Sequence, residues 1–234
     1  MLLIVKLKKE SKTLIEDPID FIKALNTKSI EEKLSCISEQ LEWIKDGICK
    51  GDKEAIKAAS IYNKEILPFT LEPNRIVTFT WLRKMIMTHE IFDSNTIYGN
   101  GRTILTYIVR MYNCSRECRN KNISEQYLQL LDRIISDEDY IINFNARDKQ
   151  GHNVLSTLCD VVKPSDDIDE LLLYRFVKLA RLGVQPYIHQ GFRKESFVLL
   201  AERFRDNVLE SKAFKFLVAY SVSNSFEMKR IINS

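Results

Sequence analysis

The stretch NARDKQGHNVLSTLC, residues 145–159, decides how this chain is read. It places Asn145, Asp148, Gly151 and Asn153 at short spacing and then turns abruptly apolar. Gly151 tolerates a positive φ, and Asn153 can bond a free N–H at a helix start. The pattern therefore reads as a tight turn followed at once by a helix. Asp148 and Gly151 shape the backbone in this reading and perform no chemistry.

The same rhythm occurs twice more. YGNGRTILTYIV begins at Tyr98 and GFRKESFVLLAERF begins at Gly191. Aligned on Thr103, Asn153 and Ser196, the three segments are spaced by 50 and 43 residues, and each joins a turn to an apolar helix. Amphipathic second helices lie between them. One is marked by Tyr127, Leu128, Leu131, Ile134 and Ile135, the other by Leu172, Leu173, Phe176, Val177 and Leu179. A turn, helix, loop, helix unit in tandem is the signature of a helical repeat.

Composition agrees with a helical reading. The 234 residues include only 7 Gly and 5 Pro, too few for many hairpins. Hydrophobic residues at 45% and charged residues at 29% place the chain among globular proteins. Helices are expected near 17–26, 30–50, 53–67, 74–92, 103–113, 124–136, 153–162, 169–182 and 196–205. Ser29 and Glu32 form a capping box for the second of these. Behind it Ile30, Leu34, Ile37, Leu41, Ile44 and Ile48 make one apolar seam. Gly51 ends that helix and Asp52 caps the next, whose buried face is Ala55, Ala59, Tyr62 and Ile66, with Pro68 after its end. The 74–92 segment is apolar on most sides and reads as a buried helix.

These observations give an all-α protein. Residues 1–92 form an N-terminal helical region, and residues 93–234 form helical repeats closed by a C-terminal cap. The stretch NARDKQGHNVL resembles the turn and first-helix start of an ankyrin repeat, matching that family at Asn145, Asp148, Gly151 and Leu155. FVKLARLGVQP, Phe176 to Pro186, resembles the family's second helix and its terminating glycine, Gly183. GNGRTIL keeps Gly101, Thr103 and Leu105. The resemblance covers about residues 94–226. It departs at Asn153-Val154, where the family has Thr-Pro, and at Lys194, where the third unit lacks the turn glycine. It departs also around Cys114 to Asn122 and Lys163 to Asp169, which read as inter-helix loops longer than the family uses.

The resemblance implies a binding module that recognises a protein partner through its turn tips and concave face. The variable turn positions are Gly99, Asn100 and Arg102; Lys149, Gln150 and His152; and Phe192, Arg193 and Glu195. Phe192 is the favoured anchor, because aromatic and Arg side chains dominate many interfaces. His152 is expected to be solvent-exposed at its turn. A chain rich in Ile, Lys and Asn suggests an AT-rich genome. Ankyrin-like proteins from such genomes include effectors of intracellular bacteria and host-range proteins of large DNA viruses, which implies action in a host-cell cytosol. The alternative is an effector enzyme with its active site between the N-terminal helices and the repeats.

Other chemistry has little support in the sequence. A net charge of +3 from 35 basic and 32 acidic residues argues neither for nucleic acid nor for a membrane surface. MLLIV is followed at once by lysines, which leaves too short an apolar core for a signal peptide. The three His residues are not at metal-ligand spacing. Cys114 and Cys118 stand one helical turn apart without the two further ligands zinc requires. No metal, cofactor or catalytic residue is therefore assigned. The acidic run Asp166 to Glu170 reads as compensation of a helix dipole, and five cysteines without framework spacing read as reduced thiols.

Overall fold

The computed structural model describes residues 28–161, 168–190, 192–204 and 209–232. The expected helix at 17–26, the apolar opening stretch and Asp166-Asp167 lie outside them. The architecture is all-α. Among the described residues the helices are α1 (Ile30–Cys49), α2 (Lys53–Ile61), α3 (Thr80–Met87), α4 (Ile104–Glu117), α5 (Lys121–Ile134), α6 (Val154–Val161), α7 (Ile168–Arg181), α8 (Ser196–Phe204) and α9 (Lys212–Ile232). One antiparallel hairpin, β1 (Tyr187–Gln190) with β2 (Phe192–Glu195), precedes α8. The chain divides into two compact units, 1–93 with 139–141, and 94–138 with 142–234.

In the first unit the expected caps form. Ser29 accepts from the Glu32 N–H while the Glu32 carboxylate accepts from the Ser29 N–H. At the other end of α1, Gly51 has φ +70 and its N–H bonds the Ile48 carbonyl, while the Asp52 N–H bonds the Gly47 carbonyl. This is the paired-bond ending that favours glycine. Asp52 then caps α2 by accepting from the Glu54 N–H. Of the α1 seam, Ile37, Leu41 and Ile44 are buried, and Leu34 and Ile48 are exposed. Gly47 lets α1 and α2 approach closely, since a Cβ there would stand 2.4 Å from that of Ala55.

α2 does not end before Pro68. It continues through a π-helical turn (Tyr62–Ile66) into a short last turn (Leu67–Phe69) that contains the proline. The Leu67 N–H bonds the Tyr62 carbonyl five residues back, and the wider turn carries the proline without breaking the helix. It also turns Asn63 inward. Its amide donates to the Ala59 and Ile91 carbonyls, and its oxygen accepts from the Asp93 N–H.

The helix expected over 74–92 is shorter, forming only over Thr80–Met87. Arg83 is 2% exposed and explains why. Its guanidinium donates to the carbonyls of Thr70, at 2.9 Å, and Ile76, at 2.7 Å. The Thr80 N–H meanwhile bonds the Val77 carbonyl instead of that of Ile76. A buried cation that must be satisfied holds residues 70–79 as successive turns.

In the second unit, α4, α6 and α8 pack side by side in sequence order, α4 packs on α5, and α7 and α8 pack on α9. α4 follows its cap Thr103, α6 follows Asn153, and α8 opens with Ser196. These are the three residues on which the segments align. The expected long loop from Cys114 to Asn122 is instead mostly helix. α4 runs to Glu117 and α5 begins at Lys121, so the extra length sits in the helices. Of the other expected loop, Lys163 to Asp169, residues 163–167 lie outside the description, and Ile168 and Asp169 already belong to α7. α9 was not anticipated. It buries Ala213, Leu217 and Ser221, and its Tyr220 hydroxyl donates to the Val184 carbonyl at 2.9 Å.

Candidate binding surface at the turn tips

The turns at 98–102 and 148–152 share one hydrogen-bond pattern. In the first, the Tyr98 N–H bonds the Arg102 carbonyl and the Gly101 N–H bonds the Tyr98 carbonyl. In the second, Asp148 and His152 take the places of Tyr98 and Arg102, and Gly151 takes that of Gly101. The two glycines have φ +79 and +76, a region costly for any residue with a Cβ. Each turn ends in the same cap. The Thr103 N–H bonds the Thr106 hydroxyl, whose N–H bonds Thr103 Oγ1; the Asn153 N–H bonds the Ser156 hydroxyl, whose N–H bonds Asn153 Oδ1.

These turns touch directly. The Lys149 N–H donates to the Gly101 carbonyl at 2.9 Å. Arg102 Nη1 donates to Asp148 Oδ2 at 2.6 Å and to Gln150 Oε1 at 2.9 Å. Asp148 Oδ1 accepts from the N–H groups of Gln150 and His152, so the carboxylate serves both its own turn and the preceding one. Below the turns, Asn143 bonds Ser94 and Asn95, Arg110 of α4 pairs with Asp160 of α6, and Arg175 of α7 grips Asp132 of α5 through two nitrogens.

The next connection is held by Asn145, Arg147 and Asn153, of which the sequence reading did not single out Arg147. Asn145 donates to the Gly183 carbonyl and accepts from the Gln185 N–H. Arg147 donates to the carbonyls of Gly151 and Tyr187 and to Gln185 Oε1. Asn153 Nδ2 donates to the Gln185 carbonyl. One signal pointed this way: Asn95 and Asn145 stand at the same offset before the caps Thr103 and Asn153.

The expected partner-binding residues divide accordingly. Asn100, Lys149 and Gln150 are exposed. Asn100 Oδ1 also accepts from the Arg102 N–H, which stiffens its turn. Arg102 is committed to the Asp148 ion pair, with its side chain 20% exposed. His152 is 8% exposed, so the expectation of a solvated histidine is corrected. The turn folds it inward under the Asp148 hydrogen bonds. Burial lowers its pKa below 6.5; Asp148 and Asp160 oppose that shift, and Arg110 and Arg102 reinforce it. Among the described residues its Nδ1 finds no hydrogen-bond partner. Phe192, Arg193 and Glu195 are in strand β2 of the hairpin, paired with Gln190, His189 and Tyr187. Glu195 is half-buried, and the side chains of Phe192 and Arg193 lie outside the described residues.

No protein-family model, curated protein or solved structure matches this chain. Among the described residues no helix is long and apolar enough to cross a membrane. The buried Cys159 thiol, close to His152 in sequence, is held far above its ordinary pKa by desolvation and so stays protonated. The turn row has a braced backbone that carries the exposed polar side chains of Asn100, Lys149 and Gln150.

Proposed function

We propose that this protein is an ankyrin-like binding module that recognises a protein partner through the row of turn tips. The observation supporting this most directly is the Lys149 to Gly101 backbone hydrogen bond, which joins two turns of identical internal bonding. Equivalent turns set edge to edge form a row, and a row of braced tips suits an extended partner surface. Asn100, Lys149 and Gln150 would make the contacts, with Phe192 and Arg193 continuing the row on the hairpin. Because the tips are braced before binding, little ordering entropy opposes association. The richness of the chain in Ile, Lys and Asn favours an effector or host-range role in a host-cell cytosol.

The test uses the full chain as bait in host lysate, beside a variant carrying Lys149→Ala, Gln150→Ala, Phe192→Ala and Arg193→Ala. A protein retained by the wild type and weakened tenfold or more, about 1.4 kcal/mol, in a variant of unchanged melting temperature supports the proposal. Identical capture by both baits rules out the turn-tip face. Unfolding of the variant would mean that Phe192 belongs to the core.

A further inference from the structure

Helix α4 and its C-terminal cap Cys118 carry a pair of thiols that the turn-tip surface does not use. Cys114 and Cys118 are both exposed. The Cys118 N–H bonds the Cys114 carbonyl at 3.0 Å, so the two residues stand one above the other on consecutive turns. Helical Cα–Cβ bonds tilt toward the N-terminus, which leans the Cys118 side chain over the turn bearing Cys114. Met111, a half-buried thioether, continues the same stripe one turn earlier.

This spacing selects among the reactions open to two thiols. Residues i and i+4 of a helix hold their Cβ atoms about 5–6 Å apart. A disulfide needs roughly 3.5–4.5 Å, so oxidation would have to unwind the end of α4. A bridging atom needs no such change. Two metal–sulfur bonds of about 2.3 Å each place the sulfurs up to ~4.6 Å apart. Zinc asks for four ligands, and among the described residues no group of three or more His, Cys, Asp or Glu side chains converges to supply them. Thiolate sulfur is a soft donor that suits Cu(I), zinc and iron–sulfur clusters, and of these Cu(I) alone is satisfied by two ligands. We propose that Cys114 and Cys118 form a two-thiolate site for a soft, two-coordinate monovalent metal ion, with Cu(I) its biological representative. On binding, each thiol loses its proton to solvent and its sulfur donates one electron pair. The metal keeps its oxidation state. The bis-thiolate unit carries one net negative charge, and Arg119 follows directly in the chain as an exposed cation.

The experiment titrates the reduced full-length chain with Cu(I) under anaerobic conditions against a chromogenic Cu(I) chelator. The wild type should retain one equivalent that the chelator removes only in excess. Cys114→Ser and Cys118→Ser should each weaken that retention at least tenfold without moving the melting temperature, because both side chains are exposed. Cys49→Ser, which alters a lone exposed thiol at the end of α1, should leave it unchanged. The proposal is overturned if the chelator strips the wild type completely, if both α4 variants retain wild-type affinity, or if equimolar Zn(II) displaces the copper.

Discussion

Arg102 and Asp148, 46 residues apart in sequence, meet at 2.6 Å, and the Asp148 side chain is wholly removed from solvent. The carboxylate accepts from Arg102 and from two N–H groups of its own turn, so one side chain shapes a turn and joins it to its neighbour. Asp148→Ala removes the acceptor shared by three donors, of which Arg102 keeps Gln150, and should cost about 1–3 kcal/mol, the usual cost of leaving buried donors unsatisfied. Asp148→Asn keeps an oxygen for the turn and should cost visibly less. Urea denaturation of the two variants checks the ordering, and equal losses would contradict the double role.

Gly101 is constrained both by its backbone and by its neighbour. At φ +79 an added side chain is strained, and its Cβ would stand 3.2 Å from Lys149 Cδ. Gly101→Ala should therefore cost about 1–2 kcal/mol. Gly151→Val, at φ +76 with a β-branched side chain, should cost at least as much. Melting temperatures test both. An unchanged Gly151→Val that lost partner binding would make the loop a contact site.

Arg119 predicts a change of the opposite sign. It has φ +58 just past α4, where its N–H bonds the Arg116 carbonyl and the Asn120 N–H bonds the Ser115 carbonyl. This is the ending that Gly51 and Gly183 supply elsewhere, here made with a residue that has a Cβ. Arg119→Gly removes left-handed strain of about 1–2 kcal/mol. The greater freedom of unfolded glycine offsets roughly 0.5–1 kcal/mol of that. A net gain of up to about 1.5 kcal/mol should raise the melting temperature by a few degrees. A lower melting temperature would show that the Arg119 side chain supports the fold.

His152 makes stability depend on pH. Its pKa in the folded chain is lowered from 6.5 by burial, so the folded state prefers the neutral ring. That contribution is fully present above the unfolded value and is lost as pH falls through the lowered folded value. The stability gap between the wild type and His152→Gln should therefore shift against the wild type from pH 7.5 toward pH 5. A gap independent of pH would show that the ring has the same pKa folded and unfolded, and that burial does not shift it.

The sequence by itself determined those helix starts and turns whose capping partners are local. Ser29 with Glu32, Asp52, Thr103 and Asn153 act on N–H groups two or three residues ahead, and Gly51, Gly101, Gly151 and Gly183 meet a steric demand of their own backbone. Such interactions are complete within a few residues, so the local sequence contains both partners. Tertiary structure alone decided what those elements became. It buried His152, drew Arg102 out of the solvent-facing set, and gave Asn145 and Arg147 partners 38 to 40 residues away. It also cut the 74–92 helix short, because Arg83 had to find carbonyls once the packing around it was dry. Burial and long-range satisfaction of polar groups depend on which distant segments arrive alongside, and no local pattern of residues records that.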